Sequence, residues 1–424
     1  MTIYVVQQND TIHSIAERFG IDVNRFIYEN DLENQLQLVE GQPLIIAYPK
    51  QSHIVEPGDS LQSIADSYQV TVMQLLRNNS FIMDRGYLTP GETLVISYNT
   101  EGTMATNGFT FPFIKTETLK KTLPNLTYLS VFNYRVLEDL EIYTYSDDTE
   151  MIRLSNEYQV IPLLLLSILT LQGEPDVDTA YRILLSEENQ MKVINGIINI
   201  MKSKGYRGLN IVFNLLNSDN ISYFKVYVQK LSELLKKENL LFFMTINYGD
   251  NQITEDIDYS EFSMYVDNMI FMQLKWGKNE GPPMPVSNIN IIDDYINKIL
   301  TYVSPDKITL GMSVIGYDWE LPYVPQKSSI TALRLSSTLE LAADTNSVIL
   351  FDEDSQTPYF SYVQTDISLP IMHIVWFIDA RSVNALLMSN RTYQIYNSGI
   401  WNIMTYNAQL WLLFNSQFDI LKIT

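Results

Sequence analysis

From residue 106 onward, continuous apolar runs alternate with amphipathic stretches of helical period, and this alternation leaves few folds open. The runs are "TNGFTFPF" (106–113), "LTYLSVFNY" (126–134), "VIPLLLLSI" (160–168), "GLNIVFN" (208–214), "LLFFMTIN" (240–247), "NMIFMQLKWG" (268–277), "KITLGMSVIGY" (307–317) and "GIWNIMT" (399–405). Between most of them lie helical stretches such as "SEENQMKVINGIINIMKSKG" and "SYFKVYVQKLSELLKKENL". Strands apolar along their whole length are buried on both faces, as in a parallel sheet wrapped by helices. Eight of them are enough to close a barrel. The expected fold is therefore α/β, a (β/α)8 TIM barrel over residues 106–424. The segment from about 326 to 373, with "SVILFDEDSQTPYFSYV", interrupts the pattern and predicts a small α+β insertion beside the barrel mouth.

The first hundred residues follow another rule. "YVVQQNDTIHSIAERFGIDVNRFIYEND" from Tyr4 aligns with "HIVEPGDSLQSIADSYQVTVMQLLRNNS" from His53, and the copies close alike in "LVEGQPLIIA" and "LTPGETLVIS". Each copy reads as strand, helix, helix, strand. Asp10-Thr11 and Asp59-Ser60 predict helix starts, because a short oxygen-bearing side chain accepts the unpaired amide protons of a first turn. Ile15, Ala16 and Phe19, and likewise Ile64, Ala65 and Tyr68, fall on one helical face and form two very small cores. The expected boundaries are 1–48 and 51–98, with a linker at 99–105.

This repeat resembles the LysM module, through "PGDSLQSIA", the asparagine before the last loop and the closing "PGETLVI". The resemblance implies binding of N-acetylglucosamine polymers, peptidoglycan or chitin, by paired loops. By position these are Asn9, Asp10, Thr11 and Ile12 with Asn30, Asp31 and Leu32 in the first copy, and Gly58, Asp59, Ser60 and Leu61 with Asn79, Ser80, Phe81 and Ile82 in the second. Asn9 stands where glycine is usual. Read from the residues alone, Asp10 and Asp59 could equally do no more than cap helices.

Charge and composition exclude several classes. Twenty-eight Lys and Arg against 49 Asp and Glu give a net charge of -21, which repels phosphate backbones and anionic membranes. Nucleic acid and membrane insertion are not expected. With no cysteine and three isolated histidines (His13, His53, His373), no metal site and no cofactor is expected either. The start "MTIYVVQQND" lacks the basic and apolar regions of a classical signal peptide.

The barrel half resembles glycoside hydrolase family 18, most of all the branch with tandem N-terminal LysM modules, the spore cortex-lytic N-acetylglucosaminidases of endospore-forming bacteria. "KGYRGLNI", "WGKNEGPPMPVSNIN", "GMSVIGYDWELPYVP", "DEDSQTPYF" and "WFIDARS" carry the likeness. In active members the fourth strand ends in two acids. The last protonates the glycosidic oxygen, and the preceding aspartate orients the substrate's acetamido group. The matching run here is Arg207, Gly208, Leu209, Asn210, Ile211, Val212, Phe213 and Asn214, so both acids are gone, and the amide of Asn214 cannot donate a proton to a leaving group. The sixth strand's bracing tyrosine is replaced by Leu274. The eighth strand's tryptophan falls on Ile403, with Trp401 two residues earlier.

The resemblance thus implies a vestigial cleft of Asn214, Trp276, Tyr317 and Trp319, with Asp318 nearby, although these aromatics could equally pack the barrel rim. The function expected is that of a catalytically inactive glycosidase-like protein, held on glycan of the spore or cell envelope by its LysM modules, with spore coat or envelope proteins as further partners. The alternatives are an N-acetylglucosaminidase that recruits Asp219 or Asp250 as a new acid, and an interaction scaffold. Asp379 and Arg381 read as a structural ion pair, and "DEDSQTPYF" as a solvated turn.

Overall fold

A computed structural model of the chain describes residues 1–33, 35, 37–169, 175–214, 216–248, 257–273, 281–365 and 370–423. The apolar runs close into a parallel barrel of eight strands: Thr103–Thr110, Tyr128–Val136, Ile161–Ser167, Gly208–Phe213, Leu241–Asn247, Asn268–Met272, Ile308–Ser313 and Asn397–Trp401. Each pairs in parallel with the next, and the eighth closes on the first. Ile142–Thr144 adds to the second strand in the antiparallel sense and Asp419–Ile420 to the first in the parallel. The long helices Glu187–Lys204 and Ile221–Lys237 cover the outside where the sequence places them; the first opens on a Ser186 cap and closes at Gly205 with φ 87.

The first, seventh and eighth strands depart from their apolar runs. The first begins earlier and stops before Pro112, which has no N–H for a ladder. The seventh ends at Ser313, and Ile315–Leu321 turns away as an antiparallel strand. Gly316 lets that strand pass close to its neighbour, since a Cβ there would sit 2.6 Å from the Phe377 Cβ. The eighth ends at Trp401. The strand from Ile315 joins Ile330–Arg334, Leu350–Asp352, Thr357–Gln364 and Ile371–Trp376 in a five-stranded sheet carrying the helix Leu335–Asp344. This insertion is wider than 326–373 because its first strand was hidden in the same apolar run as the seventh barrel strand.

Each N-terminal repeat is a two-stranded sheet with two main helices: Thr2–Val5, Ile12–Phe19, Val23–Glu29 and Pro43–Ile46, then Gln51–Ile54, Leu61–Tyr68, Val72–Asn78 and Thr93–Ser97. Thr11 and Ser60 cap the first helices, each in a capping box with the serine three residues on. Asp10 and Asp59 sit one residue outside the cap and tie the preceding turn to the strand.

The modules rest on the barrel through the helix Ala408–Gln417, "AQLWLLFNSQ". All ten of its residues are buried, as expected of a helix that is apolar on more than one side. Gln409 Nε2 donates to Pro43 O (2.9 Å) and Asn30 Oδ1 (3.1 Å), and Asn415 Nδ2 donates to Arg77 O (3.2 Å). The expected Asp379–Arg381 pair forms at 2.6 Å. The same guanidinium reaches Gly41 O (3.1 Å) in the first module, while Ile349 N of the insertion donates to Glu40 O (2.9 Å). Among the described residues no helix is long and apolar enough to cross a membrane.

Candidate functional site at the barrel mouth and the module loops

Side chains on the barrel strands alternate between the outer helices and the interior. On the fourth strand Asn210 and Val212 face in, while Ile211 and Phe213 join the outer core. Gly208 and Asn210 on this strand have packing roles. A Cβ on Gly208 would meet Leu241 O at 2.7 Å. Asn210 Nδ2 donates to Ser130 Oγ (3.0 Å), Ser130 donates to Asn107 (2.9 Å), and Thr245 Oγ1 donates to Asn210 Oδ1 (2.8 Å), a polar layer that crosslinks four strands.

Above that layer the interior is packed with apolar side chains. Val212 is 4% exposed and clusters with Phe132, Leu169, Phe243, Met272 and Trp401. Asn214 Oδ1 accepts from Asn247 Nδ2 (3.1 Å). Ser167, in register with Val212 on the third strand, has a buried Oγ without a hydrogen-bond partner. The interior-facing strand ends among the described residues are Arg135, Ser167, Val212, Asn247, Met272, Ser313 and Trp401, with no carboxylate among them.

Trp401, and not Ile403, occupies the inward place at the end of the eighth strand. Its ring meets Phe109 and Phe111 edge-on (both 5.8 Å between centroids), whereas Ile403 belongs to the outer core. Trp401 is therefore the inward-facing ring at the end of that strand. Phe111 also packs on Phe132 (5.1 Å) and stacks on Phe113 (5.3 Å), which is exposed. Together these rings wall one side of the mouth. The sequence did not single out Arg135 or Ser167, whose signals were an arginine inside "VFNYRV" and a serine ending "LLLLS".

The other described residues of the expected cleft lie on the insertion. Trp319 is fully buried and Tyr317 nearly so, on the first strand of the insertion, and Asp318 between them accepts from Tyr362 (2.8 Å) and contacts His373 Nδ1 (3.0 Å). Asp219 is exposed in the turn before the helix Ile221–Lys237. Leu274, Trp276 and Asp250 lie outside the described residues. Among the described residues no three His, Asp or Glu side chains converge to hold a metal.

In the modules, the two loop pairs differ from end to end. Asn9 adopts φ 69 and Gly58 φ 99, so the asparagine meets the same left-handed requirement as the glycine it replaces. Asn9, Thr11, Gly58 and Ser60 are exposed, while Ile12 and Leu61 are half-buried. Burial alone would raise the Asp10 carboxyl, but Tyr4 (2.5 Å), the Gln7 amide (2.8 Å) and Arg18 hold it below the usual range. The Glu56 amide and His53 do the same for Asp59.

Asn30 and Asn79 are buried and fully used within the fold. Asn79 Nδ2 donates to Leu75 O and Val95 O (both 2.8 Å) and Val95 N donates back (2.7 Å); Asn30 does the same with Phe26, Ile45 and the Ile45 amide. Leu32 and Ile82 are buried core residues. Ser80 and Phe81 face a cleft of about 590 Å³ between the modules and the barrel, where Phe81 stacks on Tyr28 at 5.4 Å. Asp31 accepts from Ala408 N (2.6 Å) on the wall of a second cleft, of about 860 Å³, shared with Arg334 and Glu340 of the insertion.

The sequence profile of Glycosyl hydrolases family 18 matches residues 164–405, and that of the LysM domain matches 4–47 and 53–97. The cortical fragment-lytic enzyme of Bacillus subtilis (strain 168) is 28% identical, with all of both chains covered. The crystal structure of the Bacillus megaterium QM B1551 spore cortex-lytic enzyme SleL is similar with a TM-score of 0.81 and 26% identity over 100% of this chain and 99% of that one. The Bacillus cereus enzyme of the same name gives 0.80 and 24%, over 99% of each chain.

Proposed function

Because the chain belongs to glycosyl hydrolase family 18 and carries two LysM domains ahead of its barrel, we propose that it holds N-acetylglucosamine-containing polymer of the spore or cell envelope, peptidoglycan above all, without cleaving it. The observation that carries this reading is the in-register pair of Ser167 and Val212: a buried hydroxyl stands beside a methyl-bearing side chain where the family's reaction uses a carboxylate. Asn214, half-buried and bonded to Asn247, has no proton to give a leaving group. General acid catalysis alone supplies on the order of a hundred to ten thousand-fold in rate, and the positions here lack both the acid and the orienting group. The retained residues, Gly208, Asn210 and Trp401, pack and crosslink the barrel, which supports a scaffold kept for binding. Relatives named for lysis of spore cortex support the spore as the setting.

Incubation with purified spore peptidoglycan tests the proposal. The full chain is expected to pellet with the polymer and to leave no released muropeptide in the supernatant. Release of fragments, or no pelleting, overturns it.

A further inference from the structure

Arg135 is the unexplained charge of the barrel mouth. It ends the second strand in register with Ser167, which is itself in register with Val212, so the three side chains stand at one level on three neighbouring strands and face the interior. Arg135 is 8% exposed, and its Nε has no hydrogen-bond acceptor. Among the described residues its guanidinium meets aromatic rings and no carboxylate. The guanidinium lies 5.5 Å and 5.8 Å from the ring centroids of Tyr143 and Tyr145, which are roughly half exposed and meet each other edge-on at 5.3 Å. A buried cation without a counter-ion is costly to fold around. Aromatic faces offset part of that cost but leave the buried Nε–H without an acceptor.

We propose that the barrel mouth is a receptor for the carboxylate of an acidic sugar, with Arg135 as the fork that grips it and Ser167 Oγ as a second donor. This rests on the reading that the chain holds wall glycan without cleaving it. A single guanidinium in a chain of net charge -21 suits a monoanion and disfavours a phosphate dianion. The wall of Phe111, Phe113 and Trp401 offers flat apolar surface for the face of the ring bearing that carboxylate. The acid could belong to the sugar itself, as in a lactyl ether, or to a peptide attached to it.

Titration calorimetry of the full chain with N-acetylglucosamine, N-acetylmuramic acid and muramyl dipeptide separates these. At least one acidic probe is expected to bind about tenfold or more tighter than N-acetylglucosamine, with the preference removed by Arg135→Gln and reduced about threefold by Ser167→Ala. Preference for N-acetylmuramic acid assigns the carboxylate to the sugar, and preference for muramyl dipeptide alone assigns it to the peptide. Ser167→Ala removes only a hydroxyl and keeps the test available if Arg135→Gln does not fold. Equal binding of acidic and neutral probes, or a preference that survives both substitutions, overturns the proposal. Pelleting with spore peptidoglycan, measured on the same samples, reports separately on the modules: its loss with the acidic preference intact defeats the LysM reading and leaves this one standing.

Discussion

Ser167 and Val212 lie side by side on adjacent parallel strands, the serine hydroxyl buried and without a partner, the valine 4% exposed. At this level of the barrel no carboxylate faces the interior among the described residues. The unmodified protein is expected to release no reducing ends from N-acetylglucosamine oligomers at any pH. Asn214→Glu alone is expected to change nothing, since groups that act as a unit are not additive. The combination of Val212→Asp, Asn214→Glu and Leu274→Tyr is the variant expected to gain turnover. Turnover by the unmodified chain that is lost in Asp219→Asn would point to a rebuilt site. The aspartate introduced at 212 gains Ser167 as a donor, so urea denaturation should show a loss near the low end of about 1 to 3 kcal/mol.

Asn79→Ala should destabilise the second module by roughly 2 to 3 kcal/mol, because it leaves the Val95 amide and two carbonyls unpaired in the core. Thermal denaturation checks this. Loss of glycan binding in that variant, with the melting temperature unchanged, would instead make Asn79 a ligand contact.

Asp148 gives the barrel an acid-sensitive joint. Burial pushes its carboxyl up, but Tyr134 (2.5 Å), Tyr206 (2.7 Å), Asn133 (2.9 Å) and Lys204 together hold it below its ordinary value of 3.8. A depressed carboxyl adds stability that is fully present above the unfolded value and is lost as pH falls through the folded one. Stability should therefore decline below about pH 4, and Asp148→Asn should lower it at neutral pH while flattening the acid limb. Denaturation midpoints followed from pH 7 downward give the answer; an unchanged acid limb in the variant would assign the sensitivity elsewhere.

Gly41 has φ 86, and a Cβ there would sit 1.9 Å from Ile349 O. Gly41→Ala should cost at least about 1 kcal/mol from the backbone conformation alone. It should also break the Ile349–Glu40 and Arg381–Gly41 hydrogen bonds. Hydrogen exchange is expected to rise at Ile349 while the second module stays protected. Unchanged exchange there would mean that docking tolerates the methyl group.

The barrel was legible because eight buried strands leave an apolar signature that needs no knowledge of contacts, and the LysM cores because a repeat states its own register. What escaped the sequence depends on parity and distance. Phe132 faces in, and strict alternation would turn Tyr134 in and Arg135 out; a bulge between Phe132 and Tyr134 shifts the register by one and turns Arg135 into the mouth. Trp401 and Ile403 share parity, so alternation could not choose between them, and the choice was made by where the strand ends. Asn30 and Asn79 read as loop polar groups because their partners in the closing strands, Ile45 and Val95, lie fifteen and sixteen residues on.

The buried helix Ala408–Gln417 removes a degree of freedom that tandem modules usually keep. Hydrogen bonds at Pro43, Asn30, Arg77 and Gly41 tie the two LysM domains to the barrel in addition to the linker. On the proposed reading, a glycan strand held by the modules would reach Arg135 and Trp401 at an angle set by those contacts. On that reading, adding residues to the linker would leave the alignment unchanged, and the chain would act as a caliper for the spacing of groups along a polymer, where a flexibly tethered protein would only gather it.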